Sequence, residues 1–427
     1  MAELSSGFFI KSRFKLKELL LPASAVIISS NRLMPRNGDQ HHPFRQSSDM
    51  YYLTGIREEA CTLVIYPDGG SNSYSEVLFI PQRDKRSMLY DGNPITPKEA
   101  ESISGVKNVR YNAEIKRDLL EILENCRYLY FGTPESDGRS VFPSNELEIR
   151  KIIGPQSSRL QEHDLAPLMT RIRMYKEPEE IEMIRKAISI TGDAFIRLLQ
   201  SLNPGMMEYE AAAILTCEFL SQGVREHAFD PIVASGTNAL ILHYIENRGV
   251  CNDGDLLLLD FGADWEYYAA DISRTIPVNR RFSRRQRALY DANLRVMQKA
   301  IKLMKPGILL SEFNREVGAL WEEEHVKLKL YEVADIKKHS KKFPLWQEYY
   351  WHGTSHSMGI DVHDRFDPAV PLKPGMVLSC EPGIYIREEG IGIRLENDIL
   401  ITENEPLNLS ENIPIDPDAI EVIMNKS

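Results

Sequence analysis

The sequence predicts an α/β protein of two domains, with a mixed sheet in the amino-terminal domain and two related halves in the carboxyl-terminal domain. The chain has 427 residues, which exceeds the size of one ordinary domain. Short strand-like runs alternate with helical patterns up to about residue 170, and a repeated pattern of helix, Pro-Gly turn, helix and hairpin follows. We place the domains at residues 1–172 and 173–427.

Short apolar runs predict the strands of the amino-terminal domain: Ser24–Ser29, Cys61–Tyr66, Glu76–Ile80 and Arg127–Phe131. Thr96 followed by Pro97 is typical of a helix start. Residues 113–125 have the spacing of an amphipathic helix. The aromatic and polar segment Phe44–Gly55 predicts a loop that enters a strand.

The carboxyl-terminal domain begins with a long helix that has Pro178 in its first turn. Two long helices end at similar turns, Pro204-Gly205 and Pro306-Gly307, and another helix follows each turn. In both halves a glycine stands six residues before an acid of the hairpin, which is Asp260 in one half and Glu381 in the other. Two related halves that face each other would bring their hairpins to one central place.

Each hairpin carries a pair of acids inside apolar runs: Asp260 and Asp271 in the first, Glu381 and Glu396 in the second. A buried charge needs compensation. If the first turn is centred between Trp265 and Glu266, Asp260 lies opposite Asp271. If the second turn is centred between Glu388 and Glu389, Glu381 lies opposite Glu396. Like charges at that separation repel, so a divalent cation between them is predicted.

A histidine-rich stretch, Trp351–Asp364, lies between the hairpins and contains His352, His356 and His363. The pair at positions i and i+4 resembles a helical zinc motif. However, the intervening Gly-Thr-Ser is poor helix interior. We therefore predict that these histidines point into a site from a loop or strand.

Four carboxylates and one imidazole suit hard or borderline ions. Mn²⁺ fits best, with Co²⁺, Fe²⁺ or Zn²⁺ as alternatives. The carboxylates exceed what one ion needs, so two divalent metal ions are predicted. Such a pair makes hydroxide available near neutral pH and polarises a carbonyl, which is machinery for hydrolysing an amide or ester.

Together these motifs resemble the metal-binding signature of aminopeptidase P and prolidase, which are pita-bread metallopeptidases related to methionine aminopeptidase and creatinase. The matching motifs are Asp260-Phe-Gly-Ala with Asp271 following, His352-Gly-Thr-Ser-His356, Glu381-Pro-Gly and Gly392-Ile-Arg-Leu-Glu396-Asn. Phe44–Gly55 is similar to a segment of aminopeptidase P. The resemblance therefore favours an Xaa-Pro aminopeptidase, which removes the first residue from peptides with proline second, over a prolidase.

The resemblance also implies roles for individual residues. The metal ligands would be Asp260, Asp271, His356, Glu381 and Glu396. Glu381 would also move the proton of the attacking water, and His243 would stabilise the tetrahedral intermediate. His363 would contact the substrate near its proline. His352 and Tyr385 would belong to the same pocket, and Arg394 would support the site.

Composition limits the partners. The net charge of −11 leaves no basic surplus for nucleic acid, and no apolar run is long enough for a membrane span. Five scattered cysteines and the absence of a signal peptide predict a cytoplasmic protein. The resemblance implies a homo-oligomer, a dimer or tetramer, because Tyr90 stands where relatives often have a tryptophan supplied across a subunit contact.

Three other functions stay open on the sequence. A prolidase would cut dipeptides only. A non-catalytic binding module on the same fold would typically lack metal ligands, and all five stand here. An acidic binding domain with a structural metal would keep its function without Glu381. Creatinase-type chemistry does not need these metals, so the intact ligands argue against it.

Overall fold

The computed structural model describes residues 3–69, 73–132, 145–339 and 344–426. Within these ranges the chain forms two compact units, one from Glu3 to Arg173 and one that begins at Met174. Both units combine helices with sheets, which confirms the predicted fold class.

The elements of the amino-terminal unit alternate between strand and helix. The strands are β1 (Ser24–Ser29), β2 (Pro35–Asn37), β3 (Gln40–His41), β4 (Thr62–Pro67), β5 (Tyr74–Ile80), β6 (Val109–Tyr111), β7 (Tyr128–Phe131) and β8 (Gln161–Asp164). The helices are α1 (Ser6–Lys17), α2 (Ser48–Thr54), α3 (Lys85–Asp91), α4 (Pro97–Ser104), α5 (Ile115–Glu124), α6 (Glu146–Ile153) and α7 (Ala166–Arg173).

Six of these strands form one mixed sheet, in the order β6-β5-β4-β1-β7-β8. The central strand β1 runs antiparallel to β4 and parallel to β7. All six residues of β1 are buried, and the apolar face of α5 joins the same core. The four predicted strands all form, each within two residues of its predicted bounds.

The prediction for Phe44–Gly55 was wrong, because part of this segment is the helix α2 and not a loop that enters a strand. Asp49 in its first turn is buried and forms an ion pair of 2.7 Å with Arg173. The hydroxyl of Tyr52 donates a hydrogen bond of 3.1 Å to the carbonyl of Ile172. Contacts made far along the chain therefore stabilise a helix that local propensity does not indicate.

The carboxyl-terminal unit holds the remaining elements. Its helices are α8 (Pro178–Ser201), α9 (Glu208–Ser221), α10 (Arg284–Leu303), α11 (Leu310–Lys327), α12 (Val333–Ile336) and α13 (Pro417–Asn425). Its strands are β9 (Ile232–Ser235), β10 (Leu256–Phe261), β11 (Asp264–Trp265), β12 (Tyr268–Ala269), β13 (Ile272–Pro277), β14 (Val377–Cys380), β15 (Gly383–Ile386), β16 (Ile391–Arg394), β17 (Asn397–Leu400) and β18 (Leu407–Asn408). No helix in the described ranges combines the length and the apolar character that crossing a membrane requires.

The internal duplication is visible in the order of these elements. A helix pair, α8 with α9 or α10 with α11, precedes an antiparallel hairpin in both halves. The glycines of the two Pro-Gly turns, Gly205 and Gly307, have φ values of 88° and 99°. The glycines before the hairpins, Gly254 and Gly375, both have φ of 89°. The same left-handed turns therefore occur at the same points of each half.

The first hairpin has a different register from the predicted one. Asp260 of β10 lies opposite Ser273 of β13, not opposite Asp271. Its turn is centred one residue later, between Glu266 and Tyr267, which both have positive φ. Such a two-residue turn usually contains asparagine or glycine, so Glu-Tyr did not indicate it. Because the turn lies one residue later, the residue opposite each position of β10 is two positions further along β13. Side chains alternate between faces with a period of two, so Asp260 and Asp271 still share one face of the hairpin.

The second hairpin has the predicted register. Cys380 pairs with Asn397 on one side of the acids, and Gly383 pairs with Arg394 on the other. Each strand has two residues between these pairs, so no bulge shifts the register and Glu381 lies opposite Glu396. The two hairpins also contact each other, because the backbone N–H of Glu396 donates to the carbonyl of Ser273 at 3.0 Å.

A buried group of charges holds the loop that carries His363. Lys176 donates from Nζ to Oδ2 of Asp364 at 2.9 Å, and both side chains are almost fully buried. Glu180, in the first turn of α8, is also buried and accepts a hydrogen bond of 3.0 Å from the Tyr268 hydroxyl. Burial raises the pKa of Glu180 to about 7, against the attraction of Lys176. Residues from three separate segments are thereby fixed together.

We expect the substitution Lys176→Met to lower the free energy of unfolding by about 3–5 kcal/mol, because it leaves the Asp364 carboxylate buried without its cation. The double variant Lys176→Met/Asp364→Leu should recover most of that loss, since the Asp364 carboxylate is gone and Glu180, whose pKa is already raised by burial, can stay protonated. Urea unfolding at neutral pH measures both. Lys302→Met, at an exposed position of α10, is the control and should change stability by less than about 0.5 kcal/mol. A double variant as unstable as the single one would contradict this account.

Candidate metal centre

Three of the predicted ligands bring their metal-binding atoms together. They are Asp271 beside β13, His356 in the non-helical stretch before β14, and Glu396 between β16 and β17. One ligand atom from each lies within 4.8 Å of the others. His356 Nε2 is 3.3 Å from Asp271 Oδ2 and 3.9 Å from Glu396 Oε1. Both halves of the unit therefore contribute to one group of candidate ligands.

Asp260 joins this group through hydrogen bonds. Arg394 Nη2 donates to Asp260 Oδ2 at 2.6 Å, and the charge of Asp260 contributes to the raised pKa of Asp271. The same guanidinium donates to the Ser273 hydroxyl at 2.9 Å and to the Tyr385 hydroxyl at 3.2 Å. Arg394 lies on β16, so a cation from the second half offsets the negative charge of an acid from the first half.

Glu381 completes the set, because its Oε1 lies 3.6 Å from His356 Nε2. Burial raises the pKa of Glu381 and of Asp271 well above the usual range, and the neighbouring Glu396 raises both further. Burial also raises the pKa of Glu396 to about 7, with the charge of Asp260 as the next cause. Without a bound cation, these acids therefore keep protons at pH values where an exposed carboxyl has lost its own.

The donor set suits a divalent cation. Asp260 Oδ1 and Glu396 Oε1 are buried and have no hydrogen-bond donor among the residues that the structure describes. Buried carboxylate oxygens usually have a partner, so these two atoms are available to bind a cation. Several carboxylates with one imidazole are the ligands that manganese and similar ions accept. The residues present thus fit a divalent metal ion.

A cavity of about 470 Å³ opens onto these acids. His243, His352, His356, His363 and Arg394 lie on its wall. The rings of His356 and His363 are 4.2 Å apart between centroids. An apolar part of the wall is formed by Phe229, Ile232, Leu242, Ile245 and Val362. The cavity is therefore polar around the acids and apolar to one side.

His352 is held in one orientation. Its Nδ1 lies 2.8 Å from the carbonyl of Gly353, and its Nε2 lies 2.8 Å from the Tyr385 hydroxyl. The first contact requires a proton on Nδ1, so Nε2 accepts from Tyr385. Burial lowers the pKa of His352 to about 3, and nearby Arg394 lowers it further. Tyr385 is itself fully buried, and its hydroxyl reaches the cavity through His352 and Arg394 and not directly.

Sequence reasoning missed two residues that support the acids. Ser273 donates from its hydroxyl to Glu396 Oε2 at 2.8 Å while it accepts from Arg394. Asp398 is buried and accepts a hydrogen bond of 3.3 Å from the backbone N–H of Asp271. Ser273 lies two positions after Asp271, and Asp398 lies two positions after Glu396. Residues two apart on a strand share a face, so this spacing could have indicated that both side chains lie beside the ligands.

The substitution Arg394→Met should destabilise the chelator-treated protein more at pH 8 than at pH 5. Because the pKa of Glu396 is raised to about 7, the folded chain holds a proton there that the unfolded chain has released between about pH 4.5 and 7. At pH 5 this proton reduces the negative charge that Arg394 offsets, whereas at pH 8 it is lost. We expect a loss of about 3–5 kcal/mol at pH 8 and clearly less at pH 5.

Urea unfolding at the two pH values measures the difference. Arg387→Met is the control, because Arg387 is exposed in the turn of the same hairpin and should have little effect at either pH. Equal losses for Arg394→Met at both pH values would show that the guanidinium does not offset the charge of the acids.

Comparison with known proteins gives matches over both units. Residues 182–403 match metallopeptidase family M24, and residues 9–130 match the family described as aminopeptidase P, N-terminal domain. The Xaa-Pro aminopeptidase of Escherichia coli K12 is 34% identical over 99% of each chain. The Xaa-Pro aminopeptidase of Haemophilus influenzae is 32% identical and covers 100% of this chain and 99% of its own.

The fold is similar along the same length. The structure of E. coli aminopeptidase P with the inhibitor Pro-Leu matches with a TM-score of 0.89 at 32% identity, covering 99% of both chains. A zinc-substituted form of that enzyme in complex with product matches with the same TM-score and coverage. These matches confirm the predicted pita-bread fold with its additional amino-terminal domain. The chain therefore belongs to metallopeptidase family M24 and, within it, to the relatives of aminopeptidase P.

Proposed function

We propose that this protein is an Xaa-Pro aminopeptidase, which hydrolyses the first peptide bond of peptides with proline second and requires divalent metal ions. The observation that carries the proposal is the convergence of Asp271, His356 and Glu396 within 4.8 Å at the base of a cavity lined by further histidines. Full-length similarity to two bacterial Xaa-Pro aminopeptidases supports the substrate class.

The proposed metal ligands are Asp260, Asp271, His356, Glu381 and Glu396. We propose two ions, because four carboxylates exceed the requirement of one, and Mn²⁺ as the preferred ion, because the donors are mostly oxygen. Bound divalent ions would lower the pKa of water and polarise the scissile carbonyl. Metal analysis of the purified protein tests the number of ions per chain.

Glu381 is the proposed proton carrier. Its raised pKa suits a group that accepts a proton from the attacking water and then returns it. The leaving group is the proline nitrogen, which must gain a proton as the carbon–nitrogen bond breaks. One carboxyl beside both the attacking and the leaving atoms can make both transfers, so that water is consumed and a free amino acid and a shortened peptide are released.

The histidines on the cavity wall are the proposed substrate contacts. His243 and His363 are exposed to the cavity and can donate hydrogen bonds to peptide oxygens. His352 is neutral with both ring nitrogens engaged, so we assign it to shaping the site with Tyr385 and Arg394, not to carrying protons. An Xaa-Pro bond has no N–H, so a site without an acceptor for that group is expected. The bound inhibitor Pro-Leu in the E. coli relative supports a proline-accepting cavity.

Chelated protein assayed with an Xaa-Pro-Xaa tripeptide and an Xaa-Pro dipeptide, before and after Mn²⁺ addition, tests the function. We expect the tripeptide to be cleaved only with metal. Cleavage of the dipeptide alone would indicate a prolidase. Cleavage of neither with any divalent cation would favour the non-catalytic binding module.

Glu381→Gln should lower kcat by at least about 10²–10⁴-fold, because the amide cannot carry the proton. The matched control is Glu388→Gln, which removes an exposed carboxylate from the turn of the same hairpin and should leave kcat unchanged. An active Glu381→Gln variant would exclude the proton-carrier role and would agree with a structural metal.

We further propose that residues 173–427 form the catalytic domain, that residues 1–172 form the second domain, and that the protein is a cytoplasmic homo-oligomer, either a dimer or a tetramer. Five free cysteines support a reducing compartment. Leu89 and Tyr90 on α3 are 86% and 78% exposed, and exposed apolar side chains of this kind support a contact between subunits at α3. Light scattering of the purified protein tests the oligomeric state.

A further inference from the structure

Glu208 is a buried acid that lies outside the candidate metal centre. It is the first residue of α9, and its side chain has no exposed surface. Its carboxylate accepts four hydrogen bonds, two at each oxygen. The donors are Ser235 N at 2.7 Å and Asn238 Nδ2 at 2.8 Å on Oε1, and the Tyr244 hydroxyl at 2.8 Å and Gly249 N at 2.6 Å on Oε2.

These donors all belong to one loop and its two ends. Ser235 is the last residue of β9, and Gly249 follows the far end of the loop. We name residues 236–248 the His243 loop. Glu208 therefore holds together the two ends of the loop, at Ser235 and Gly249, and also bonds to its middle through Tyr244. The residue before Tyr244 is His243, and Leu242 and Ile245 of the same loop line the cavity.

The fit around this carboxylate is close. A Cβ atom at Gly249 would lie 2.7 Å from Glu208 Oε1 and 2.6 Å from Asn238 Nδ2, so a larger residue there would displace these hydrogen-bonded side chains. The carboxylate also lies at the start of a helix, where the dipole favours negative charge. Hydrogen bonds to a charged acceptor are stronger than neutral ones. One side chain therefore joins both ends of the loop to its middle, beside a second anchor at Asn247, which accepts from Val233 N at 2.9 Å and donates to the Pro231 carbonyl at 2.8 Å.

We infer that Glu208 is a positioning residue for the proposed reaction, because it fixes His243 relative to the acids. The inference rests on the proposed function for its catalytic consequence. Glu208 does not line the cavity, so it acts through the loop. Small displacements of a substrate-contacting group lower the rate strongly, and about 1 Å can cost about 10²-fold.

The first test is a double-variant cycle with tripeptide hydrolysis in Mn²⁺. Glu208→Gln replaces one acceptor oxygen by a donor that faces the donors of the loop, and we expect kcat/KM to fall about 10- to 100-fold. In a His243→Ala background the same substitution should change kcat/KM by less than about twofold, since its effect passes through His243. Equal losses in both backgrounds would overturn the inference.

Glu210→Gln is the matched control. It removes one negative charge from the same turn of α9, at an exposed position, and glutamine can still accept the hydrogen bond from the backbone N–H of Met207. We expect its kcat/KM to match that of the unmodified protein. If Glu208→Gln does not fold, Tyr244→Phe removes one of the four donors and should give a smaller loss that also disappears in the His243→Ala background.

The second test does not depend on activity. Hydrogen exchange followed by mass spectrometry should show amides of the His243 loop exchanging about tenfold faster in Glu208→Gln than in the unmodified protein, with α10 and α11 unchanged. Unchanged exchange in the loop would overturn the inference. A protein that cleaves no Xaa-Pro peptide would instead contradict the proposed function, and the exchange result would still decide whether Glu208 holds the loop.

Discussion

Repulsion among buried carboxylates is the constraint on which the carboxyl-terminal unit depends. Asp260 and Asp271 come from one hairpin, and Glu381 and Glu396 come from the other. Two like charges about 4 Å apart repel by about 4 kcal/mol at the effective dielectric constant of a protein surface. Arg394 offsets part of this repulsion from inside the cluster. The remaining charge requires either protons or a cation, and burial together with this repulsion raises the pKa of Asp271, Glu381 and Glu396.

The duplicated architecture explains how such a cluster can be held. Each half contributes a rigid hairpin, and the halves meet at β13 and the strand end that carries Glu396. Ser273 links them twice, because its carbonyl accepts from the backbone of Glu396 and its hydroxyl donates to the Glu396 carboxylate. The same hydroxyl accepts from Arg394. The contacts that join the halves are thus the contacts that orient the candidate ligands.

Much of this arrangement could be predicted from the sequence, because strand periodicity tolerates small errors. The centre of the first turn was misplaced by one residue, yet Asp260 and Asp271 remained on one face since side chains alternate with a period of two. The turn itself could not be predicted because its two central residues, Glu266 and Tyr267, adopt positive φ without the usual glycine or asparagine.

Long-range contacts account for the features that the sequence did not indicate. The helix α2 depends on an ion pair between Asp49 and Arg173, which are 124 positions apart. Ser273 looks like an ordinary strand residue in the sequence, because its role depends on contacts with Glu396 of the second hairpin. Glu208 is one acid among many in the sequence, and its importance follows from four donors that lie far along the chain. Local patterns contain no information of this kind.

The raised pKa values of the ligand cluster have a consequence for metal binding. Protons and the Arg394 guanidinium offset the negative charge of the acids when no ion is bound. An incoming divalent ion would exchange with those protons, so that metal binding releases protons and the affinity for metal falls as the pH falls. Acidification would therefore act against the bound ion even where each ligand side chain keeps its place.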